Sequence, residues 1–156
     1  MESEEDHALT EKVIGLAMKV HCTLGPGFLE SVYLNALVYE LRKAGFQIEI
    51  GQRIKVHYGN VIVGDFIADL VVAGTLICEL KAISCLTKAS EVQVVNYLTA
   101  TNHDIGLLLN FGAESLQFKR KHRRAASAPR PPTSIPNPVN LVNPVQKTLC
   151  ITPTKR

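Results

Sequence analysis

The longest apolar region of the chain, residues 64–83, is interrupted by three acidic residues and a lysine: Asp65, Asp69, Glu79 and Lys81. Asp69 and Glu79 lie ten residues apart, and Lys81 follows two positions after Glu79. Carboxylate oxygens are the ligands that Mg²⁺ and Mn²⁺ prefer in proteins. These residue types therefore suit a divalent-cation site, provided that the fold brings the two carboxylates together.

The turn between the two apolar segments decides whether the carboxylates meet. A three-residue loop, 73–75, places Asp69 directly opposite Glu79 in an antiparallel strand pair, with Lys81 on the same face. A two-residue loop would shift the register and separate them. In the three-residue register the other face carries four apolar side chains and a thiol: Leu70, Val72, Leu76, Cys78 and Leu80.

Two interpretations of the charged face follow from these residues. Opposed carboxylates repel each other, so a strand pair needs compensation at that point, and a divalent cation would supply it. Alternatively, the face is solvated and Lys81 forms the salt bridge. The sequence of the hairpin leaves both interpretations open.

A third carboxylate, Glu30, lies at the head of an apolar stripe on a predicted helix. At about 100° per residue, it shares this stripe with Tyr33, Leu34, Leu37 and Leu41. This position directs the side chain toward the core. The alternative is a first-turn acid that interacts favourably with the helix dipole.

Hydrophobic periodicity predicts the elements that position these residues. A period near 3.6 predicts helices over 8–24, 28–44 and 89–101. Alternating or continuous apolar runs predict strands over 46–50, 53–58, 61–72, 76–83 and 105–111, with 116–119 as a last edge strand. The order α-α-β-β-β-β-α-β-(β) predicts an α/β (α+β) domain, in which helices flank a mixed sheet.

Charge and composition divide the chain into two parts. Residues 1–118 carry eight Lys or Arg against 14 Asp or Glu, a net charge of −6. Residues 119–156 carry nine Lys or Arg and no acid, together with seven of the eight prolines and no aromatic residue. We therefore expect a folded domain over 1–120 and a basic, Pro-rich, disordered tail over 121–156.

Membrane and secreted proteins do not fit this sequence. Charged residues interrupt every stretch long enough to span a bilayer. The first six residues contain four acids, the opposite of the basic start of a signal peptide. We expect a cytoplasmic protein without a membrane partner.

Several separated motifs resemble one known family. The segment 27–33, GFLESVY, looks like the motif that names the GxxExxY family of the PD-(D/E)XK nuclease superfamily. Asp69 followed by Glu79-x-Lys81 resembles the D…(D/E)xK signature of that superfamily, with Ala68 where its name expects proline. The likeness extends over residues from about 8 to 120 and implies a PD-(D/E)XK nuclease-like core.

The resemblance also implies roles for these residues. Asp69 and Glu79 would bind Mg²⁺ or Mn²⁺, with the Leu80 carbonyl oxygen as a further ligand. Lys81 would orient or deprotonate the attacking water, or stabilise charge on the phosphate. Glu30 would approach from its helix as an additional metal or water ligand.

Two residues of the third helix gain a role only from this resemblance. Gln93 and Tyr97 lie four positions apart and share a helix face, which by itself indicates ordinary amphipathic surface. In the family pattern Gln93 would support the site, and Tyr97 would be a packing or phosphate-facing neighbour.

The implied activity is metal-dependent hydrolysis of a phosphodiester in DNA or RNA. A catalytically silent nucleic-acid-binding or regulatory protein on the same scaffold is the main alternative, since a body of charge −6 repels phosphate. A partner-binding domain whose carboxylates do nothing catalytic is the third hypothesis. A homodimer would allow one small site per chain to cut both strands of a duplex.

A basic stretch beside the last predicted strand could also contact phosphate. It contains Lys119, Arg120, Lys121, Arg123 and Arg124. One interpretation is an electrostatic arm that offsets the acidic body and holds nucleic acid near the site. The other is a solubilising extension with no part in function.

Overall fold

The structure is a computed structural model that describes residues 3–123. Three helices and five strands follow one another along this part of the chain. In chain order they are α1 (Glu4–Leu24), α2 (Glu30–Lys43), β1 (Ile48–Tyr58), β2 (Val61–Val72), β3 (Leu76–Lys81), α3 (Lys88–Thr101), β4 (Ile105–Asn110) and β5 (Gln117–His122). The tail was predicted to begin at residue 121, which lies within β5. The part of the predicted tail beyond residue 123 lies outside the described residues.

The five strands form a single mixed sheet in the order β1-β2-β3-β4-β5. β3 and β4 are parallel, and the other neighbours are antiparallel. A parallel pair needs a crossover connection, and α3 is the helix in that connection. The predicted α+β class with a mixed sheet is therefore confirmed.

The predicted number of strands before α3 is wrong by one. The segments 46–50 and 53–58 were expected to be separate strands with Gly51 as the break. Instead β1 runs through Gly51, which adopts a φ of +68° that glycine tolerates. Pairing with β2 continues on both sides of it, with Ile50 opposite Leu70 and Gln52 opposite Ala68.

Opposite this region of β1, the side chains of β2 stop alternating regularly between the two faces of the sheet. Ala68 and Leu70 are two positions apart and would share a face in a regular strand. Ala68 nevertheless packs in the core cluster that contains α3, whereas Leu70 packs in the cluster that contains α1 and α2. Asp69 lies between them, at the point where β2 changes sides.

Each face of the sheet is covered by helices. The larger core lies against α1 and α2, which contribute residues such as Val13, Leu37 and Leu41, all with no exposed surface. The smaller core lies between the opposite face and α3, around Val94 and Leu98. β3 is thus buried on both sides. Within residues 3–123, no helix combines the length and apolar character that crossing a membrane requires.

Candidate active site

The hairpin of β2 and β3 has the register that the three-residue loop predicts. Leu70 pairs with Cys78 and Val72 with Leu76, and the turn between them is 73–75. Ala73 and Gly74 both adopt a positive φ there. Next to Leu70, the acceptor across the strand pair is a side chain. Asp69 Oδ2 accepts a hydrogen bond from the Leu80 N–H at 2.7 Å.

The carboxylate of Glu79 lies beneath α3 and is almost completely buried, with 3% of its surface exposed. Its Oε1 accepts hydrogen bonds from Lys81 Nζ at 2.6 Å and from Gln93 Nε2 at 2.9 Å. Gln93 Nε2 also donates to the Tyr97 hydroxyl at 2.6 Å. The prediction of Lys81 as a salt-bridge partner is therefore confirmed, but the predicted solvated face is not what surrounds Glu79.

The second oxygen of this carboxylate is left without a partner. Glu79 Oε2 is buried and accepts no hydrogen bond from the residues that the structure describes. A buried oxygen with an unused lone pair is costly unless something binds it. A divalent cation would satisfy this oxygen, so the residues present fit the metal that the sequence implies.

Glu30 is half-buried at the first position of α2, and its approach is fixed by Tyr33. The Tyr33 hydroxyl donates to the Gly25 carbonyl at 2.7 Å and accepts from the Phe28 N–H at 3.1 Å. The Tyr33 ring is fully buried and stacks on Phe111 at a centroid distance of 4.8 Å. This clamp holds the turn from which α2 starts. Tyr33, which the sequence placed in the apolar stripe and in the 27–33 motif without a role, is thus a positioning residue.

Burial dominates the electrostatics of the three carboxylates. It raises the pKa of Glu79 to about 7, an effect to which the Asp69 charge adds and which Lys81 opposes. Burial also raises the pKa of Asp69, against the Leu80 N–H and the Lys81 charge. The pKa of Glu30 is raised by burial too, against Lys81 and with Asp69. All three carboxylates thus act on one another and on Lys81.

The charges around Lys81 favour its protonated form. Burial by itself lowers the pKa of its ammonium group, but the hydrogen bond to Glu79 and the charges of Glu79, Glu30 and Asp69 together raise it above the usual value. A cation bound to the same carboxylates would oppose this effect. The three roles that the resemblance implies for Lys81 therefore stay predictions.

Asn110 is a second positioning residue that sequence reasoning left without a role. It is fully buried at the end of β4, and its Oδ1 accepts from the Ile83 N–H at 3.0 Å and the Gly112 N–H at 3.1 Å. Its Nδ2 donates to the Ile83 carbonyl at 2.8 Å and to Gln117 Oε1 at 3.0 Å. The segment that follows Lys81 is thereby fixed. An amide directly after three buried leucines is the sequence signal that could have identified it.

The three carboxylates do not form a ready-made cage. Within residues 3–123, no group of three or more His, Cys, Asp or Glu side chains is arranged to hold a metal ion. Hydrogen bonds bring Glu79, Lys81, Gln93 and Tyr97 together, and Asp69 and Glu30 interact with this group through charge.

The basic residues near the end of the domain are mostly engaged in ion pairs. The pairs join Arg120 to Glu11, Lys121 to Glu91, and Arg123 to Asp104. They attach β5 and the residue after it to α1, α3 and the turn before β4. Lys119 is exposed, and Arg124 lies outside the described residues. Their predicted contact with nucleic acid stays a prediction.

A helix-flanked mixed sheet with an aspartate on one strand and Glu-x-Lys on the next defines a nuclease-like class of fold and site. A sequence model of the PD-(D/E)XK nuclease superfamily matches residues 7–124. The chain therefore belongs to the PD-(D/E)XK nuclease superfamily, as its motifs predicted.

One solved structure is also similar to this chain, an alkaline exonuclease (LHK-Exo) from Laribacter hongkongensis. The two have a TM-score of 0.40 and 10% sequence identity, over 79% of this chain and 72% of the exonuclease chain. No curated protein sequence matches the chain.

Proposed function

We propose that this protein hydrolyses phosphodiester bonds of DNA or RNA with a divalent cation, and that it belongs to the GxxExxY family within its superfamily. The observation that carries the proposal is Glu79 Oε2, which lies buried beside Asp69 and has no hydrogen-bond partner within residues 3–123. A carboxylate oxygen kept from both water and hydrogen-bond donors is suited to a cation. Membership of a nuclease superfamily makes a nucleic acid the expected substrate.

Asp69 and Glu79 are the proposed metal ligands, with the Leu80 carbonyl oxygen and Glu30 as further ligands. Oxygen donors of this kind favour Mg²⁺ or Mn²⁺. The cation supplies Lewis-acid polarisation of the phosphate and makes water a better nucleophile. Asp69 is held in place by the Leu80 N–H, so its free oxygen has a fixed direction.

The other residues orient groups around this pair. Lys81 donates to Glu79 and, as a cation, stabilises the negative charge that develops on the phosphate. Gln93 fixes the Glu79 carboxylate from α3 and is itself fixed by Tyr97. Tyr97, whose hydroxyl accepts from Gln93, would be a packing or phosphate-facing neighbour. Lys119, and Arg124 outside the described residues, would add electrostatic attraction for the nucleic acid, and a homodimer would serve a duplex substrate.

A catalytically silent nucleic-acid-binding or regulatory protein remains the second candidate. Two observations favour it: the net charge of −6 over residues 1–118, and the lack of a preformed cluster of three metal-binding side chains within residues 3–123. Such a protein would bind nucleic acid with no dependence on Asp69.

Isothermal calorimetry with Mg²⁺ or Mn²⁺ tests the metal site directly. We expect wild type to bind one cation and Asp69→Ala to bind none, while the fold is kept because one of several like charges is removed. Asp65→Ala is the matched control, since Asp65 is an exposed aspartate on the same strand. Equal affinity for wild type and Asp69→Ala would show that the site is wrongly placed.

A cleavage assay then separates the two candidate functions. Single-stranded and duplex DNA and RNA are incubated with each cation and either wild type or Asp69→Ala. We expect cleavage by wild type only. Metal binding without cleavage of any substrate would favour the silent protein.

A further inference from the structure

A groove of about 900 Å³ lies between α3 and the β1–β2 hairpin, next to the candidate active site. Gln93 and Tyr97, which connect α3 to Glu79 through hydrogen bonds, also line this groove. Gln93 therefore links the groove to the buried Glu79 carboxylate, which does not itself line the groove. The volume is within the range of sites that enclose a ligand of drug size.

Part of the wall of the groove is apolar, with one aromatic ring presented to solvent. Phe66 is 46% exposed, and its ring lies 5.9 Å from the Tyr97 ring. Gly64 makes room for it, because a Cβ at that position would come within 2.8 Å of the Phe66 ring. Val56 and Val92 complete this apolar wall. An aromatic ring held in a fixed, exposed position is suited to stacking against a planar base.

The charge of the groove is opposite to that of the domain as a whole. Its lining residues, all within the described part of the chain, include Lys55, Lys88 and His57 and no carboxylate. Residues 1–123, which include every described residue, carry 12 Lys or Arg against 14 Asp or Glu, a net charge of −2. A locally cationic groove in an acidic body favours an anionic ligand at this position.

We propose that this groove binds a single, unpaired strand of nucleic acid and leads it to the candidate active site. Phe66 stacks on a base, and Lys55 and Lys88 contact the backbone phosphates. A duplex keeps its bases stacked inside and would leave the apolar wall unused, whereas unpaired bases gain from such a wall. The inference rests on the proposed function, because it takes the site around Glu79 as the place where the strand is cut. It adds that the substrate is single-stranded.

Binding of a fluorescent strand to the full chain in EDTA tests the groove without hydrolysis. The probes are a DNA strand of about 12 nucleotides, the RNA strand of the same sequence, and the DNA duplex. We expect either single strand to bind more tightly than the duplex, and the strand with the higher affinity identifies the sugar preference. Equal or tighter binding of the duplex would overturn the proposal.

Phe66→Ala is the decisive variant. Loss of one stacked base should weaken binding of the strand by about five- to 150-fold. Ile67→Ala is the matched control, because Ile67 is 56% exposed on the same strand but does not line the groove, and it should bind as wild type does. Strand affinity that is the same for Phe66→Ala and wild type would overturn the proposal.

Lys55→Ala gives an independent measurement that does not depend on the aromatic ring. Removing one phosphate contact should reduce the slope of log affinity against log salt by about 0.7 for a single strand. An unchanged slope would remove Lys55 from the interface and contradict the proposed backbone contact. Melting temperatures of both variants should equal that of wild type, which verifies that the fold is intact.

The groove and the hydrolysis can fail separately. A protein that binds the strand through Phe66 but cleaves nothing with Mg²⁺ or Mn²⁺ supports the groove and overturns the proposed function. A protein that cleaves, and whose strand affinity is unaffected by Phe66→Ala, overturns the groove and leaves the proposed function intact.

Discussion

The two faces of β3 are both largely buried but chemically opposite. Toward α1 and α2 the strand presents Leu76, Cys78 and Leu80, none of which has exposed surface. Toward α3 it begins with the buried Ile77 and then presents Glu79 and Lys81. One face excludes water with apolar side chains alone. The other excludes most water from a carboxylate and compensates it with an ammonium group and an amide.

This difference shows what a buried charge requires. Removing a carboxylate from water costs several kcal/mol, which a partner repays only with good geometry. Glu79 has such partners for Oε1 in Lys81 and Gln93, but Oε2 has none within residues 3–123. Burial of the apolar face stabilises the fold. Burial of the Glu79 carboxylate destabilises the fold but provides a potential cation-binding site. The following predictions test this contrast.

The largest expected effect is on the apolar face. Leu80→Ala should lower the free energy of unfolding by about 2–5 kcal/mol, because it leaves a cavity in a closely packed core. Its backbone N–H, which Asp69 accepts from, is unaffected by the substitution. Urea denaturation measures the change. Val63→Ala, at a position that is 62% exposed, should change stability by no more than about 0.5 kcal/mol, and a similar loss in both variants would contradict the proposed core.

On the charged face, Lys81→Met should retain metal binding but lose about 10²–10³-fold in cleavage rate. Methionine keeps an unbranched side chain but removes the positive charge that would act on the phosphate. The exposed Lys12 provides the control, and Lys12→Met should cleave as wild type does. Cleavage by Lys81→Met at the normal rate would remove Lys81 from the mechanism.

The pH dependence of stability distinguishes the two faces directly. The pKa of Glu79 is about 7 in the fold against an ordinary value of 4.5, so the folded state binds its proton more tightly. Stability is therefore fully present below pH 4.5 and is lost as the pH rises through 7. Glu79→Gln should remove this loss and exceed wild type by roughly 2–3 kcal/mol at pH 8.

The comparison requires urea denaturation of wild type and Glu79→Gln at pH 4.5 and pH 8. The stability difference should be small at the lower pH and large at the higher one. Glu114→Gln, at an exposed position, serves as the control with little difference at either pH. An equal difference at both values would mean that the Glu79 carboxylate is not strained by burial.

The smallest effect on stability is expected at Glu30. This residue begins α2, one of the two helices that cover the apolar face, and its charge acts on Glu79 and Lys81. Glu30→Gln keeps the shape and removes the charge. If Glu30 only interacts with the helix dipole, the variant should lose about 0.3–1 kcal/mol of stability and no activity. We expect instead loss of cleavage at unchanged stability. Burial raises the pKa of this carboxyl group, which shows that its charge is not favoured by the surrounding fold. Melting temperature and cleavage rate measured on the same preparation separate the two roles.

The sequence by itself determined most elements and reduced the central hairpin to two registers, between which the length of the turn decides. Helices and strands follow from the spacing of apolar residues, and the Ala73–Thr75 turn sets Leu70 opposite Cys78 because its length fixes which residues pair. Asp69, Glu79 and Lys81 could be singled out because a loop of that length places them on one face of the hairpin. Gly51 misled the strand prediction, because a glycine with positive φ can either end a strand or redirect it.

Only the tertiary structure decided the environment of these groups. Gln93 reaches Glu79 from 14 positions away, Asn110 fixes Ile83 from 27 positions away, and Arg120 pairs with Glu11 from 109 positions away. The same holds for the unpartnered Oε2 of Glu79. Turns and periodicity depend on neighbours along the chain, which the sequence displays directly. Burial and long-range partners depend on how helices pack on the sheet, and many packings are compatible with one local pattern.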